Sequence, residues 1–161
     1  MNEKSFKRII SGIHYGTAAT GIMALTLLLF AAGAAADTVK RDFINPAAGY
    51  TQVVAVTANG VKTLYISGQV SEGETIEAQL RGAFASLRQQ LADAGAALSD
   101  VVKMNTYIVN YQSENLDTFR TVRDEFFAPE NRPASTLVGV TSLALTKYRV
   151  EIEATAVLAA D

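Results

Sequence analysis

Cysteine and tryptophan are absent from this chain, histidine occurs once, at position 14, and proline three times. Without cysteine there is no disulfide, no thiol nucleophile and no thiolate metal ligand. With His14 so near the start, no Ser-His-Asp site can be built from the rest of the chain. The usual zinc, haem and copper ligand sets are excluded in the same way. The expected metal content is none and the expected cofactor is none. Basic residues are scattered, with no run of them and no interleaved aromatics. A nucleic-acid partner is therefore not expected, because phosphate contacts need such a stripe.

The one long apolar stretch lies at the beginning. Lys4, Lys7 and Arg8 are followed by the dense segment Ile22-Met-Ala-Leu-Thr-Leu-Leu-Leu-Phe30, and Ala34-Ala35-Ala36 precede Asp37. A basic start, an apolar core and a small-residue end form the order of a secretory signal peptide. Residues 1–36 are read as that leader, which predicts a periplasmic or secreted protein. From Ile9 to Ala36 no Asp, Glu, Lys or Arg intervenes. Such a run also suffices to span a bilayer, which takes about 20 residues. The crowding of apolar residues into positions 22–30 favours cleavage, and any membrane contact would come only through an uncleaved leader.

The remaining 125 of the 161 residues, 37–161, suit a single domain with a real core. Setting the leader aside takes Lys+Arg from 14 to 11 and Asp+Glu from 16 to 15, a net charge of −4. Residues 37–49 read as an irregular lead-in. Residues 52–58 and 61–67 are β-rich and joined by Asn59-Gly60, the pair that supplies both positive-φ positions of a type I′ hairpin turn. Gly68 and Gly73 bracket the loop expected next.

From about 74 to 94 the spacing of Ile76, Leu80, Phe84, Leu87 and Leu91 predicts a helix, with Gly95 as its stop. Residues 101–109 predict a strand. Ser113 is the expected cap of a second helix carrying Leu116, Phe119, Val122 and Phe126, ended by Pro129 and Pro133. Strands are expected at 134–141 and 148–158. In the last, Val150, Ile152, Ala154, Ala156 and Leu158 alternate with Arg149, Glu151, Glu153 and Thr155. The order predicts an α+β domain, a mixed sheet with two helices on one face. The sheet's other face holds the two glutamates among apolar neighbours, which predicts self-association.

Four clusters carry the polar groups that remain for chemistry. They are Gly49-Tyr50-Thr51-Gln52, Ser67-Gly68-Gln69-Val70, Asn131-Arg132-Pro133-Ala134-Ser135-Thr136 and Glu151-Ile152-Glu153-Ala154. A glycine at a strand end lets a ligand approach the main chain. Each cluster also has a plainer reading: a packing tyrosine, a turn, a solvated arginine, an exposed strand face. Nothing in the sequence around Lys103 marks it as a Schiff-base lysine.

These clusters, together with Tyr65-Ile66, Ile76-Glu77-Ala78-Gln79, Leu91-Ala92-Asp93-Ala94-Gly95 and Val101-Val102-Lys103-Met104-Asn105-Thr106, resemble the Rid family, of RidA/YjgF type, in order and spacing. The resemblance spans about residues 50–158. It implies a chorismate-mutase-like fold assembled as a homotrimer with clefts between subunits. It implies cofactor-free hydrolysis of reactive enamines and imines, of the 2-aminoacrylate kind, to a 2-oxo acid and ammonia. On that resemblance Tyr50 lines the cleft, Ser67 and Gly68 bind substrate through the main chain, and Glu153 activates water. An arginine clamps the substrate carboxylate. The chain departs from the family there: where active members read Ala-Arg-Ser or Ala-Arg-Thr, it reads Ala134-Ser135-Thr136. Ser135 holds the clamp position, and Arg132, three residues upstream, is the candidate to fold back. Two functions follow: an enamine/imine deaminase, or a trimeric small-metabolite-binding protein without turnover.

Overall fold

The computed structural model describes residues 38–160; the expected leader lies outside them. Among the described residues, no helix is long and apolar enough to cross a membrane. Eight elements follow in the order β1 (Lys40–Ala47), β2 (Tyr50–Ala58), β3 (Val61–Val70), α1 (Ile76–Asp93), β4 (Val101–Val109), α2 (Asn115–Asp124), β5 (Ala134–Val140) and β6 (Val150–Ala159).

The hairpin forms where Asn59-Gly60 allows it: φ is +52° at Asn59 and +72° at Gly60. Helix α1 starts at Thr75, whose hydroxyl accepts from the Ala78 amide at 3.1 Å. It stops in a left-handed Gly95, with the Gly95 amide bonded to Ala92 and the Ala96 amide to Leu91. These bonds satisfy carbonyls that the last turn would leave unpaired. Its stripe of Ile76, Leu80, Phe84, Leu87 and Leu91 is buried throughout.

The six strands make one sheet ordered β1-β2-β3-β6-β4-β5. Every pairing is antiparallel except β4 with β5, which is parallel. Helix α1 carries the chain across β6 to β4, and α2 carries it from β4 to β5. Helix α1 packs on β3 and β6, with α2 against α1. Between helices and sheet lies the core, with Leu64, Phe84, Met104, Ile108, Val150 and Ile152 fully buried. Burying each such side chain is worth about 1.5–3 kcal/mol. The fold is α+β, as expected.

Four local expectations are corrected. The lead-in is a strand, β1, pairing Ile44 with Val53 and Ala47 with Tyr50. Its sequence lacks alternation because it is an edge strand, largely exposed, where Pro46 is tolerated. Gly68 lies inside β3, not in a following loop: the β3–β6 register shifts between Ile66 and Gln69, which makes Ser67-Gly68 a bulge. Ser113 is not the cap of α2, which begins two residues later; the Asn115 side chain instead accepts from the Gln112 amide at 2.8 Å. Phe126 lies beyond the end of α2, in the turn that closes it, and stacks on Phe84 with ring centroids 5.1 Å apart.

Candidate functional site

The sheet face away from the helices gathers the polar chemistry. Alternation along β6 turns Val150, Ile152 and Ala154 into the core and leaves Glu151, Glu153 and Thr155 on the open face. On β4 the same rule exposes Lys103, Asn105 and Tyr107 to that side, and register puts Asn105 opposite Glu153 and Tyr107 opposite Glu151. A cleft of about 300 Å³ opens there, lined by Tyr65, Ser67, Lys103, Asn105, Glu153 and Thr155.

The two glutamates are held differently. Glu153 Oε1 accepts from Asn105 Nδ2 at 2.7 Å and from the Tyr107 hydroxyl at 2.9 Å. Those bonds fix the carboxyl group in place, and donating to Glu153 raises the Tyr107 hydroxyl above its ordinary range, with burial adding to the shift. Glu151 lies over the bulge instead. A Cβ on Gly68 would meet Glu151 Oε1 at 1.8 Å, so only glycine leaves that carboxylate its position. Burial, and secondarily the charge of Glu153, raise Glu151 above the usual carboxylate range. The face thus presents one carboxyl anchored by two donors and one whose pKa burial raises.

Of the residues singled out in the sequence, the structure brings together Ser67, Gly68 and Glu153. Ser67 spends its hydroxyl proton on the Thr51 carbonyl at 2.7 Å. Tyr50 stands outside the cleft, half exposed, with its hydroxyl accepting from Gln52 Nε2 at 3.2 Å. Arg132 is paired with Asp124 at 2.8 Å, and does not line the cleft. Ser135 is in register with the buried Met104, so it points to the opposite side of the sheet from Glu151 and Glu153. Sequence reasoning missed Lys103, Asn105 and Tyr107. Their alternation along residues 101–109 was the available signal, but which partner strand they would face is a matter of register.

A mixed single sheet, helices on one side and a carboxylate-lined cleft on the other, defines a small α+β protein of the chorismate-mutase-like class. The chain belongs to the Endoribonuclease L-PSP family, the RidA/YjgF family, whose profile matches residues 40–158. It is 33% identical over 121 residues to a 2-iminobutanoate/2-iminopropanoate deaminase of Dermatophagoides farinae, covering 70% of this chain and 88% of that one. It is 32% identical over 118 residues to the mitochondrial protein mmf1 of Schizosaccharomyces pombe, covering 68% and 67%. Among solved structures, a YjgF-family protein from Neisseria meningitidis superposes with a TM-score of 0.64 at 28% identity, over 73% of this chain and 94% of that one. RidA from an Antarctic Psychrobacter superposes with a TM-score of 0.60 at 29% identity, over 75% and 98%.

Proposed function

We propose that this protein hydrolyses reactive imines and enamines, of the kind derived from small 2-amino acids, to the 2-oxo compound and ammonia without a cofactor. The observation that carries the reading is the glutamate pair on the open face, one carboxylate anchored and one raised, beside a backbone bulge. The likeness to a relative named as a 2-iminobutanoate/2-iminopropanoate deaminase supports the substrate class.

Water adds to the carbon of the C=N bond; Glu151 takes the water's proton and returns it to nitrogen. Glu151 then carries the remaining hydroxyl proton of the adduct to the nitrogen, the C–N bond breaks with loss of ammonia, and the C=O bond forms. An enamine first takes a proton on carbon and gives one up from nitrogen, becoming the imine. Glu153, held by Asn105 and Tyr107, orients the water and stabilises positive charge developing at nitrogen. The family resemblance gives the water-activating task to Glu153; the Gly68 contact and the direction of its pKa shift favour Glu151. Acid–base help of this kind supplies about 10²–10⁴-fold, sufficient for an imine that already reacts with water.

The proposal includes a homotrimer in which neighbouring copies cover the open face and complete the cleft. Tyr50, outside the cleft of its own subunit, would join the cleft from a second copy. It also includes export by residues 1–36. A second reading, metabolite binding without turnover, is favoured by Ser135 where an arginine clamp is usual. The test is imine decay with the purified full-length chain, using 2-aminoacrylate released by a serine dehydratase and other 2-imino acids made by an amino-acid oxidase. Acceleration lost in Glu151→Gln supports the hydrolase. Decay no faster than in buffer leaves the binding protein.

A further inference from the structure

The cleft carries a cation at the end away from the glutamates. Lys103 lies on β4 opposite Thr155, one step along the open face from the Asn105–Glu153 pair. Its Nζ donates to Thr136 Oγ1 on β5 at 2.6 Å. Among the described residues, ion pairs engage Lys40, Arg81, Arg120, Arg123, Arg132 and Lys147, but no carboxylate lies within pairing distance of Lys103. An ammonium has three donors, and one is used here. The Thr136 hydroxyl, accepting from Lys103, keeps its own proton to donate. Lys103 therefore presents unspent donors to one side of the cleft, with the Thr136 hydroxyl beside it on β5, and Glu153 presents an acceptor to the other.

We infer that Lys103, oriented by Thr136, receives the carboxylate of the substrate and selects 2-imino acids over imines that lack a carboxylate. This rests on the hydrolase reading for its substrate class. The charge separation sets the orientation: an anionic carboxylate on Lys103 directs the adjacent C=N carbon toward Glu153, which shares the cleft. A substrate turned the other way would bring its carboxylate against Glu153. Lys103 thus does on β4 what Ser135 cannot do on β5, and it is a specificity residue, since it takes no proton in the reaction.

Binding tests this apart from turnover. The probe is 2-oxobutanoate, the hydrolysis product of 2-iminobutanoate, titrated by calorimetry into the full-length chain. Lys103→Met should weaken binding by about tenfold or more, the scale of a lost charge-assisted hydrogen bond. Lys103→Arg should stay within a few-fold of the wild type. In turnover, Lys103→Met should raise KM for 2-imino acids several-fold more than KM for an imine without a carboxylate made by an amine oxidase. Should Lys103→Met fail to fold, the Cε resonance of Lys103 in the ¹³C-lysine-labelled wild type serves instead, and it should shift on adding 2-oxobutanoate. Undiminished binding by Lys103→Met, equal losses for both kinds of imine, or an unmoved Cε resonance would overturn the inference. Lys103-dependent binding without imine hydrolysis would keep this inference and sink the hydrolase reading; hydrolysis indifferent to Lys103 would do the reverse.

Discussion

The Glu151 carboxylate occupies the space that a side chain at Gly68 would need. Adding one methyl group at Gly68 should displace the Glu151 carboxylate, whose oxygen occupies the place of the missing Cβ. The flexible end of the glutamate can move at small cost. Gly68→Ala is therefore expected to lower kcat for imine hydrolysis roughly tenfold, while the melting temperature changes little. Glu151→Gln should lower kcat about a hundredfold or more. Its stability profile is a separate check. The folded state raises the Glu151 pKa, so it binds that proton more tightly than the unfolded chain does. Stability from this group is thus fully present below the ordinary carboxylate range and is lost as pH rises through the folded pKa. Urea melts of wild type should weaken across that window, and Glu151→Gln should remove that part of the slope. The pH–rate profile should rise over the same window as Glu151 becomes a base.

At the scale of elements, two devices position that face. One is the aromatic cluster beneath the sheet, where Phe84 of α1 meets Phe126 at 5.1 Å, Phe127 at 6.0 Å and Phe119 at 6.5 Å. The other is Gln79, a buried amide on the inner face of α1. It donates to the Gly73 and Lys147 carbonyls at 2.9 and 3.0 Å and accepts from the Arg149 amide at 2.7 Å. It ties the loop leaving β3 to the residues entering β6, immediately before Glu151. Gln79→Leu would strand three backbone groups. With about 1–3 kcal/mol at stake for each, a loss of about 3 kcal/mol in urea unfolding is expected. Most of α1 was legible in the sequence, because five apolar residues at helical spacing admit one buried face. Strand β1 was not, because an edge strand with Phe43 exposed and Pro46 within it lacks the period-two signal. The bulge was not either: Ser67-Gly68 reads equally as a turn until β6 is laid beside it.

For the whole molecule, the open face carries Val157 on β6 and Tyr65 on β3, both substantially exposed in the single chain. A face of this kind beside a polar cleft fits the proposed trimer. Sedimentation equilibrium should give three times the chain mass, and Val157→Asp, which places a charge on that face, should shift the species toward monomer. The proposed export predicts an intact mass corresponding to a chain that starts near Asp37.

The sequence by itself determined the class of chemistry, since removing cysteine and nearly all histidine leaves carboxylates, lysine and hydroxyls. It also determined the hairpin, α1 and the alternation of β6, each encoded by short-range spacing. Only the tertiary structure decided which of those groups meet. Ser67, Lys103 and Glu153 come from three strands remote in sequence, and their meeting in one cleft depends on strand order and register. A register shift of one residue would turn every one of them to the other face of the sheet.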